Sequence, residues 1–199
     1  IWNRALTATD IRNLMCAKLQ GNEPGLTGYY RFDAATGNTL TDISPNGNNG
    51  TLVNNPQWVA SGAPVGDRST WNYNPGGPVV GFSLAMDSVG LLPSGTGGDG
   101  AHLYFVDQLP TNPPNTTVPA GVSHYVGVFM ADPQRNFDFG YLPAPPNIAP
   151  SSFGLVRRDN NAASLWTVTA PRNTPIIILP GRSSQEQYVL ASFCPLLDP

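Results

Sequence analysis

The residues whose types and spacing offer chemistry begin in the stretch DISPNGNNGT, positions 42 to 51. Asp42 supplies a carboxylate, and Asn46 and Asn48 supply amide oxygens. Asp33 adds a second carboxylate from the preceding predicted strand. Calcium is bound by about six to eight oxygen ligands, several of them usually carboxylates. The stretch therefore predicts calcium as a candidate cofactor, held by these four residues.

The same stretch is also explained without a metal. Asn46-Gly47 and Asn49-Gly50 are strong turn formers, because asparagine and glycine tolerate positive φ. One or two carboxylates are few for a calcium shell. We favour turns alone, with calcium binding and sugar recognition as the alternatives.

The aromatic segment WNYN offers a second candidate site. Trp71 and Tyr73 come shortly after SGAPVGDRS, a small, polar, Pro-containing stretch that reads as a linker. Exposed aromatic rings can stack on sugars, whereas buried ones fill cores and contacts between modules. Trp71 and Tyr73 are therefore candidate ligand-binding residues, with packing as the alternative interpretation.

Acids, bases and nucleophiles form no catalytic pattern in the sequence. Glu23 and Glu186 lie in different predicted modules, whereas a glycosidase needs two carboxyls across one cleft. His102 and His124 begin adjacent predicted strands, and no G-x-S-x-G turn occurs. We therefore expect structural histidines and a protein that is not an enzyme.

The two cysteines permit one disulfide. Cys16 lies in the predicted first helix and Cys194 lies near the C-terminal end of the sequence, so a disulfide would tie these two regions together. Closing so long a loop would contribute about 5 kcal/mol in the chain-entropy model. Two buried free thiols are the alternative, because sequence alone cannot bring the sulfurs together.

The composition indicates an all-β protein. The 199 residues include 21 glycines, 21 prolines, 18 asparagines and a single lysine, so surface helix formers are scarce. Short runs of β-branched and aromatic residues lie between Gly, Pro and Asn. The net charge of −3 and the scattered arginines predict no nucleic-acid partner. No apolar run approaches membrane-spanning length, so no membrane insertion is predicted.

Residues 1–66 form the first predicted module. Its helix is predicted over 8–20, with Thr7 and Asp10 as an acidic capping box and Gly21 after its end. Short strands are predicted in GLTGYYRFD, TLTDI, GTLVN and PQWVA.

Residues 67–199 form the second predicted module. Eight strand candidates alternate there with Gly-, Pro- and Asn-rich turns, namely VVGFSLA, AHLYFVD, SHYVGVFMA, NFDFGYL, SFGLVRR, SLWTVTA, TPIIIL and EQYVLASF. This spacing predicts an Ig-like antiparallel β-sandwich.

The first module resembles a known family. It is similar to the terminal portion of a laminin-G-like, concanavalin-A-type jelly roll. The similarity lies in four segments that occur in the same order, namely IWNRALTATDIRNLM, GLTGYYRFD, TLTDISPNGNNGT and PQWVA. The resemblance implies a jelly-roll remnant whose earlier strands are absent. We expect it to expose an unpaired edge, completed by another chain or module.

The second module resembles β-sandwiches of large secreted bacterial cell-surface proteins, through HLYFVDQLP, HYVGVFM, LVRRDNNAASLW and EQYVLASF. This resemblance implies an extracellular, non-catalytic setting. We expect a structural or adhesion fragment of a bacterial surface protein or fibre, with other modules or copies of itself as partners. The alternative is a calcium-assisted carbohydrate-binding module of a secreted protein, with glycans as partners.

Overall fold

The structure, a computed structural model, is mostly antiparallel β-sheet with one short helix, which confirms the all-β prediction. It describes residues 1–73, 80–83, 87–94, 100–116, 118, 122–131, 136–143, 153–171, 177–182 and 185–192.

The described elements are one helix and twelve strands. Helix α1 spans Ala8–Leu14. The strands are β1 Thr39–Leu40, β2 Gly50–Thr51, β3 Arg68–Asn72, β4 Val80–Ser83, β5 Asp87–Ser94, β6 Ala101–Val106, β7 Tyr125–Met130, β8 Asn136–Pro143, β9 Phe153–Arg158, β10 Thr167–Pro171, β11 Ile177–Arg182 and β12 Glu186–Ser192.

Two sheets form the sandwich. A six-stranded sheet has the order β10-β9-β12-β7-β6-β3, and a four-stranded sheet has the order β11-β8-β5-β4. The main core lies between them, where Phe139 of β8 stacks on Tyr188 of β12 with ring centroids 4.1 Å apart. Alternate residues of β5, β6, β7, β8, β11 and β12 point into this core, as period-two side-chain geometry requires.

The six-stranded sheet is covered on both faces. All six residues of β6 are buried, although only alternate ones face the main core. Of the other three, Tyr104 and Val106 join Cys16, Val156 and Val189 in a second apolar cluster on the outer face, and His102 is buried on the same face. Cys16 of the N-terminal region thus packs against this face, and burial on both faces explains the near-continuous apolar sequence of the central strands.

Among the described residues of the second predicted module there are ten strands, two more than the sequence indicated. All eight predicted strands are present, and β3 and β5 were missed. The β3 residues follow a polar, Pro-containing stretch, and β5 contains Gly90 and Pro93, which weaken a strand signal. Register pairing with β6 and β8 overrides these local preferences.

The predicted helix over 8–20 is wrong in its C-terminal half. The Thr7–Asp10 capping box is present, but α1 ends at Leu14. Beyond it, the carbonyl of Cys16 accepts from the Gly66 N–H at 3.0 Å, and the Lys18 N–H donates to the Gly66 carbonyl at 2.7 Å. These tertiary bonds take the backbone groups that a longer helix would have used.

Gly66 is where the N-terminal region meets the sandwich. A Cβ atom at Gly66 would overlap the backbone of Phe105 in β6, so only glycine fits there. The next residue, Asp67, donates its N–H to the Phe105 carbonyl at 2.7 Å and pairs its carboxylate with Lys18 at 2.9 Å. The predicted linker is therefore held against the sheet.

The rest of residues 1–66 contains little regular β-structure. Strands β1 and β2 have two residues each. GLTGYYRFD forms two isolated antiparallel bridges, Trp2–Leu26 and Tyr30–Asp42. PQWVA forms no strand or bridge with the described residues. The boundary between modules at residue 66 stays a prediction.

Candidate functional site

The carboxylate of Asp42 is buried at the centre of the Asn-rich loop. Its Oδ1 accepts hydrogen bonds from the backbone N–H groups of Tyr29 at 2.8 Å and Ser44 at 2.9 Å. Its Oδ2 accepts from the Ser44 hydroxyl and the Asn48 N–H, both at 2.9 Å. These donors, led by Tyr29, lower the pKa of Asp42 to about 2 although burial opposes them. The charged carboxylate has its acceptor sites filled by donors.

The other predicted calcium ligands have different partners. The Asn46 side-chain N–H donates to the backbone carbonyl of Thr27 at 3.0 Å, and Asn48 donates its backbone N–H to Asp42. Asp33 is exposed and pairs with Arg31 at 2.6 Å. The described residues include no group of three or more His, Cys, Asp or Glu side chains able to hold a metal. The geometry supports the turn interpretation, and calcium binding stays a prediction.

The predicted ligand-binding aromatics, Trp71 and Tyr73, are half-buried next to helix α1. Their rings meet edge to face, with centroids 5.5 Å apart. The Arg12 guanidinium lies 4.1 Å from the Tyr73 centroid and 5.5 Å from that of Trp71. The Trp71 indole N–H also donates to Asn13 Oδ1 at 2.9 Å. Because the helix engages both rings, the geometry favours the packing alternative over a sugar platform.

His102 lies fully buried behind this aromatic pair. Its Nε2 is 3.0 Å from the Tyr73 hydroxyl, and its ring also contacts Phe129. Within the described residues, its Nδ1 has no hydrogen-bond partner. Burial, assisted by the charge of Arg12, lowers the pKa of His102 to about 4. These contacts support the interpretation of a structural, neutral histidine.

Both glutamates take part in structural contacts. The Glu23 carboxylate accepts from the N–H groups of Gln20 at 2.7 Å and Gly21 at 3.0 Å and so caps a local turn. Glu186 is buried and pairs with Arg157 at 3.0 Å and with Arg182. The predicted cysteine pair falls partly outside the described residues, because Cys194 is not among them. Cys16 is a buried thiol, and burial raises its pKa to about 12.

An open cleft of about 770 Å³ lies between the N-terminal region and residues of the six-stranded side of the sandwich. This volume is within the range of about 300–1,000 Å³ typical of ligand sites. Two stretches, 29–35 and 58–65, supply most of its lining. Its aromatic side chains are Tyr29, Tyr30, Phe32, Trp58 and Tyr125.

The Asn-rich loop holds one wall of this cleft in place. Asp42 binds the backbone of Tyr29, and the Tyr30 hydroxyl donates to the Asn48 carbonyl at 2.7 Å. The Tyr29 hydroxyl accepts from the Leu19 N–H at 3.1 Å. The stretch DISPNGNNGT therefore fixes the position of two adjacent aromatic residues of the cleft.

A buried guanidinium supports the other side of the cleft. Arg158 is 2% exposed and donates to Asn161, which lines the cleft, at 2.6 Å and to Gln187 Oε1 at 2.8 Å. It also lies 4.6 Å from the Trp166 ring centroid. Burial lowers the pKa of Arg158, because these partners are uncharged.

A row of glycines crosses the outer face of the four-stranded sheet. Gly81 pairs with Gly90, Gly90 pairs with Gly140, and Gly140 pairs with Ile178. With strands about 4.8 Å apart, the three glycines leave a trough about 10 Å long without side chains. Leu92, Leu142 and Ile178 border this trough and are 39%, 41% and 62% exposed. We call this surface the glycine trough.

Sequence reasoning missed both the cleft and the trough. The glycines at 81 and 140 stand inside two predicted strands, VVGFSLA and NFDFGYL, and glycine inside a strand can mark a close approach by another backbone. Gly90 lies in the missed strand β5, so its alignment with the others was not visible. The aromatic residues of the cleft lie in separate segments of the sequence, so the sequence did not show that they converge.

No family model, curated protein or solved structure matches the chain. The resemblance to laminin-G-like jelly rolls stays a prediction. Among the described residues there is no helix with the length and apolarity that a bilayer crossing requires.

Proposed function

We propose that this chain is a non-catalytic, extracellular structural or adhesion fragment of a larger surface protein. It acts by apolar contact of its exposed sheet surfaces with copies of itself or with adjoining modules. The glycine trough is the observation that carries this proposal. Extracellular placement rests on the Asn/Gly-rich, lysine-poor composition and on the resemblance of residues 67–199 to β-sandwiches of secreted bacterial cell-surface proteins.

The trough has the physical features of a contact surface. Glycine in a strand interior costs about 0.5–1 kcal/mol relative to alanine, so a glycine that the fold does not demand needs a compensating gain. At Gly81 the fold does demand glycine, because a Cβ atom there would overlap the backbone of β5. At Gly140 a Cβ atom would meet nothing nearer than 4.0 Å, so the fold itself does not demand glycine there. The bordering Leu92, Leu142 and Ile178 lie on adjacent strands, unlike singly scattered surface residues. A partner surface could approach the backbone closely and bury all three.

Sedimentation equilibrium from micromolar to millimolar concentration tests the proposal. We expect reversible self-association of the wild type that Gly140→Leu and Ile178→Ser both weaken, because they fill the trough or remove its border. Val168→Ser is the matched control, since Val168 is 51% exposed on strand β10 of the other sheet. A chain that stays monomeric throughout, or that all three substitutions affect equally, would contradict contact between copies through this face.

A further inference from the structure

The cleft is bordered by backbone that makes no sheet. Residues 32–36 and 56–60 make no backbone–backbone hydrogen bond in the part of the chain that the structure describes. The second stretch is PQWVA, which has the composition of a strand, and the first begins with the last two residues of the predicted strand GLTGYYRFD. Strand-forming backbone without a neighbouring strand is a ready template for pairing with another chain.

The side chains around this backbone are also exposed. Phe32 is 61% exposed and Val59 is 84% exposed, and both line the cleft. Phe32 has φ of 57° and Ala35 has φ of 60°, in the left-handed region that side chains other than glycine and asparagine rarely adopt. The chain therefore departs from extended geometry at Phe32, inside the predicted strand, and at Ala35, just after it.

The charges of the cleft favour an uncharged occupant. Lys18 pairs with Asp67 at 2.9 Å, and Arg31 pairs with Asp33 at 2.6 Å. Because these charges are paired, the aromatic rings are the main surface of the cleft that a ligand's side chains can contact. Apolar residues at alternate positions of an extended chain would pack against such rings.

The polar groups of the cleft favour a polypeptide over a sugar. The hydroxyls of Tyr29 and Tyr30 are already bonded to Leu19 and Asn48 within the chain. The N–H and C=O groups of residues 57–60, by contrast, form no backbone–backbone bond among the described residues. Backbone groups are what an added strand uses for affinity, with pockets for alternate side chains giving specificity.

We propose that the cleft between residues 29–35 and 58–65 accepts an extended, uncharged strand from another polypeptide, which pairs with the backbone of residues 57–60. The strand places alternate apolar side chains on Trp58 and its aromatic neighbours. The cleft is distinct from the glycine trough, so the two proposals can fail independently.

Hydrogen exchange with a strand-forming peptide tests this proposal on the full chain. The probe is a blocked peptide of alternating valine and threonine, and its control carries N-methyl groups on the valine nitrogens. We expect the first peptide to slow amide exchange at residues 57–60 and to bind about tenfold more tightly than the second, which cannot complete the backbone ladder. Cellohexaose, a neutral oligosaccharide, is the third ligand tested.

Two proline substitutions provide the matched variants. Val59→Pro removes one N–H from the pairing stretch and should weaken the valine–threonine peptide by about tenfold. Val53→Pro is the control, since Val53 is 71% exposed, lies outside the cleft lining and has no backbone–backbone bond at its own N–H. Near-ultraviolet circular dichroism verifies that both variants fold.

The outcomes are separable. Protection by the unmodified peptide that is lost in Val59→Pro and retained in Val53→Pro supports the strand site. Failure of that peptide to slow exchange at millimolar concentration, or equal binding of its N-methylated form, overturns it. Protection of residues 57–60 by cellohexaose alone would instead assign the cleft to a carbohydrate.

Discussion

Gly127 in strand β7 offers the sharpest test of the packing on the outer face of the six-stranded sheet. It pairs in register with Tyr104 of β6 on one side and with Gln187 of β12 on the other. The Tyr104 ring lies over Gly127, and a Cβ atom there would overlap the ring and its hydroxyl. Tyr104 is fully buried, so its ring cannot swing into solvent. Replacing Gly127 with alanine must therefore displace a core side chain.

The cost of Gly127→Ala follows from these contacts. Overpacking a well-filled site costs about 1–3 kcal/mol. Displacing the Tyr104 hydroxyl also weakens the 2.8 Å hydrogen bond that it accepts from Gln187, which adds about 1 kcal/mol. The lower entropy of the unfolded alanine chain returns about 0.5–1 kcal/mol. We expect a net loss of about 2 kcal/mol in the free energy of unfolding.

Urea denaturation and thermal melting measure this loss. For a chain of this size, about 2 kcal/mol lowers Tm by about 4–8 °C. Gly140→Ala is the control, because its Cβ would lie 4.0 Å from the nearest atom, Gly90 O. That variant should be unchanged or more stable by up to about 1 kcal/mol. Combining Gly127→Ala with Tyr104→Leu should recover part of the loss. If Gly127→Ala is as stable as Gly140→Ala, Tyr104 does not occupy this position and the reasoning fails.

Four further predictions concern buried polar groups. The pKa of His102 is lowered from an ordinary 6.5 to about 4 in the folded chain, so the unfolded chain takes up the proton first as the pH falls. The free energy of unfolding should therefore decline between pH 6.5 and pH 4, and in His102→Gln the urea midpoint should depend less on pH in this window. Asp42, with its pKa lowered from 3.8 to about 2, contributes stability above pH 3.8 that is lost as pH falls towards 2, and Asp42→Asn should remove that dependence in acid titrations followed by circular dichroism. Arg158→Met should cost about 2–3 kcal/mol in urea unfolding, because it leaves the buried Gln187 oxygen without its donor; an unchanged midpoint would contradict the network. In the folded, reduced chain Cys16 should react with iodoacetamide far more slowly than in the urea-unfolded chain, because its thiol is buried and its pKa is raised to about 12. Peptide mass analysis measures both rates, and equal rates would refute its burial.

Local sequence signals set the fold class and much of the second module. The scarcity of helix formers and the eight short β-rich runs between turn residues predicted an all-β sandwich, and the strands formed where those runs lie. The capping box of Thr7 and Asp10 was also predicted correctly, because it depends on residues three positions apart.

Non-local contacts decided the rest. Helix α1 stops at Leu14 because backbone groups beyond it bond to Gly66, a residue far along the chain. The glycine trough exists only because Gly81, Gly90 and Gly140 meet in register, and register is a property of pairing between strands. Sequence periodicity shows which residues share a face of one strand, whereas only the assembled sheets show which faces are covered and which remain open. The cleft and the Arg12 contacts with Trp71 and Tyr73 arise in the same way, from packing of the N-terminal region against the sandwich.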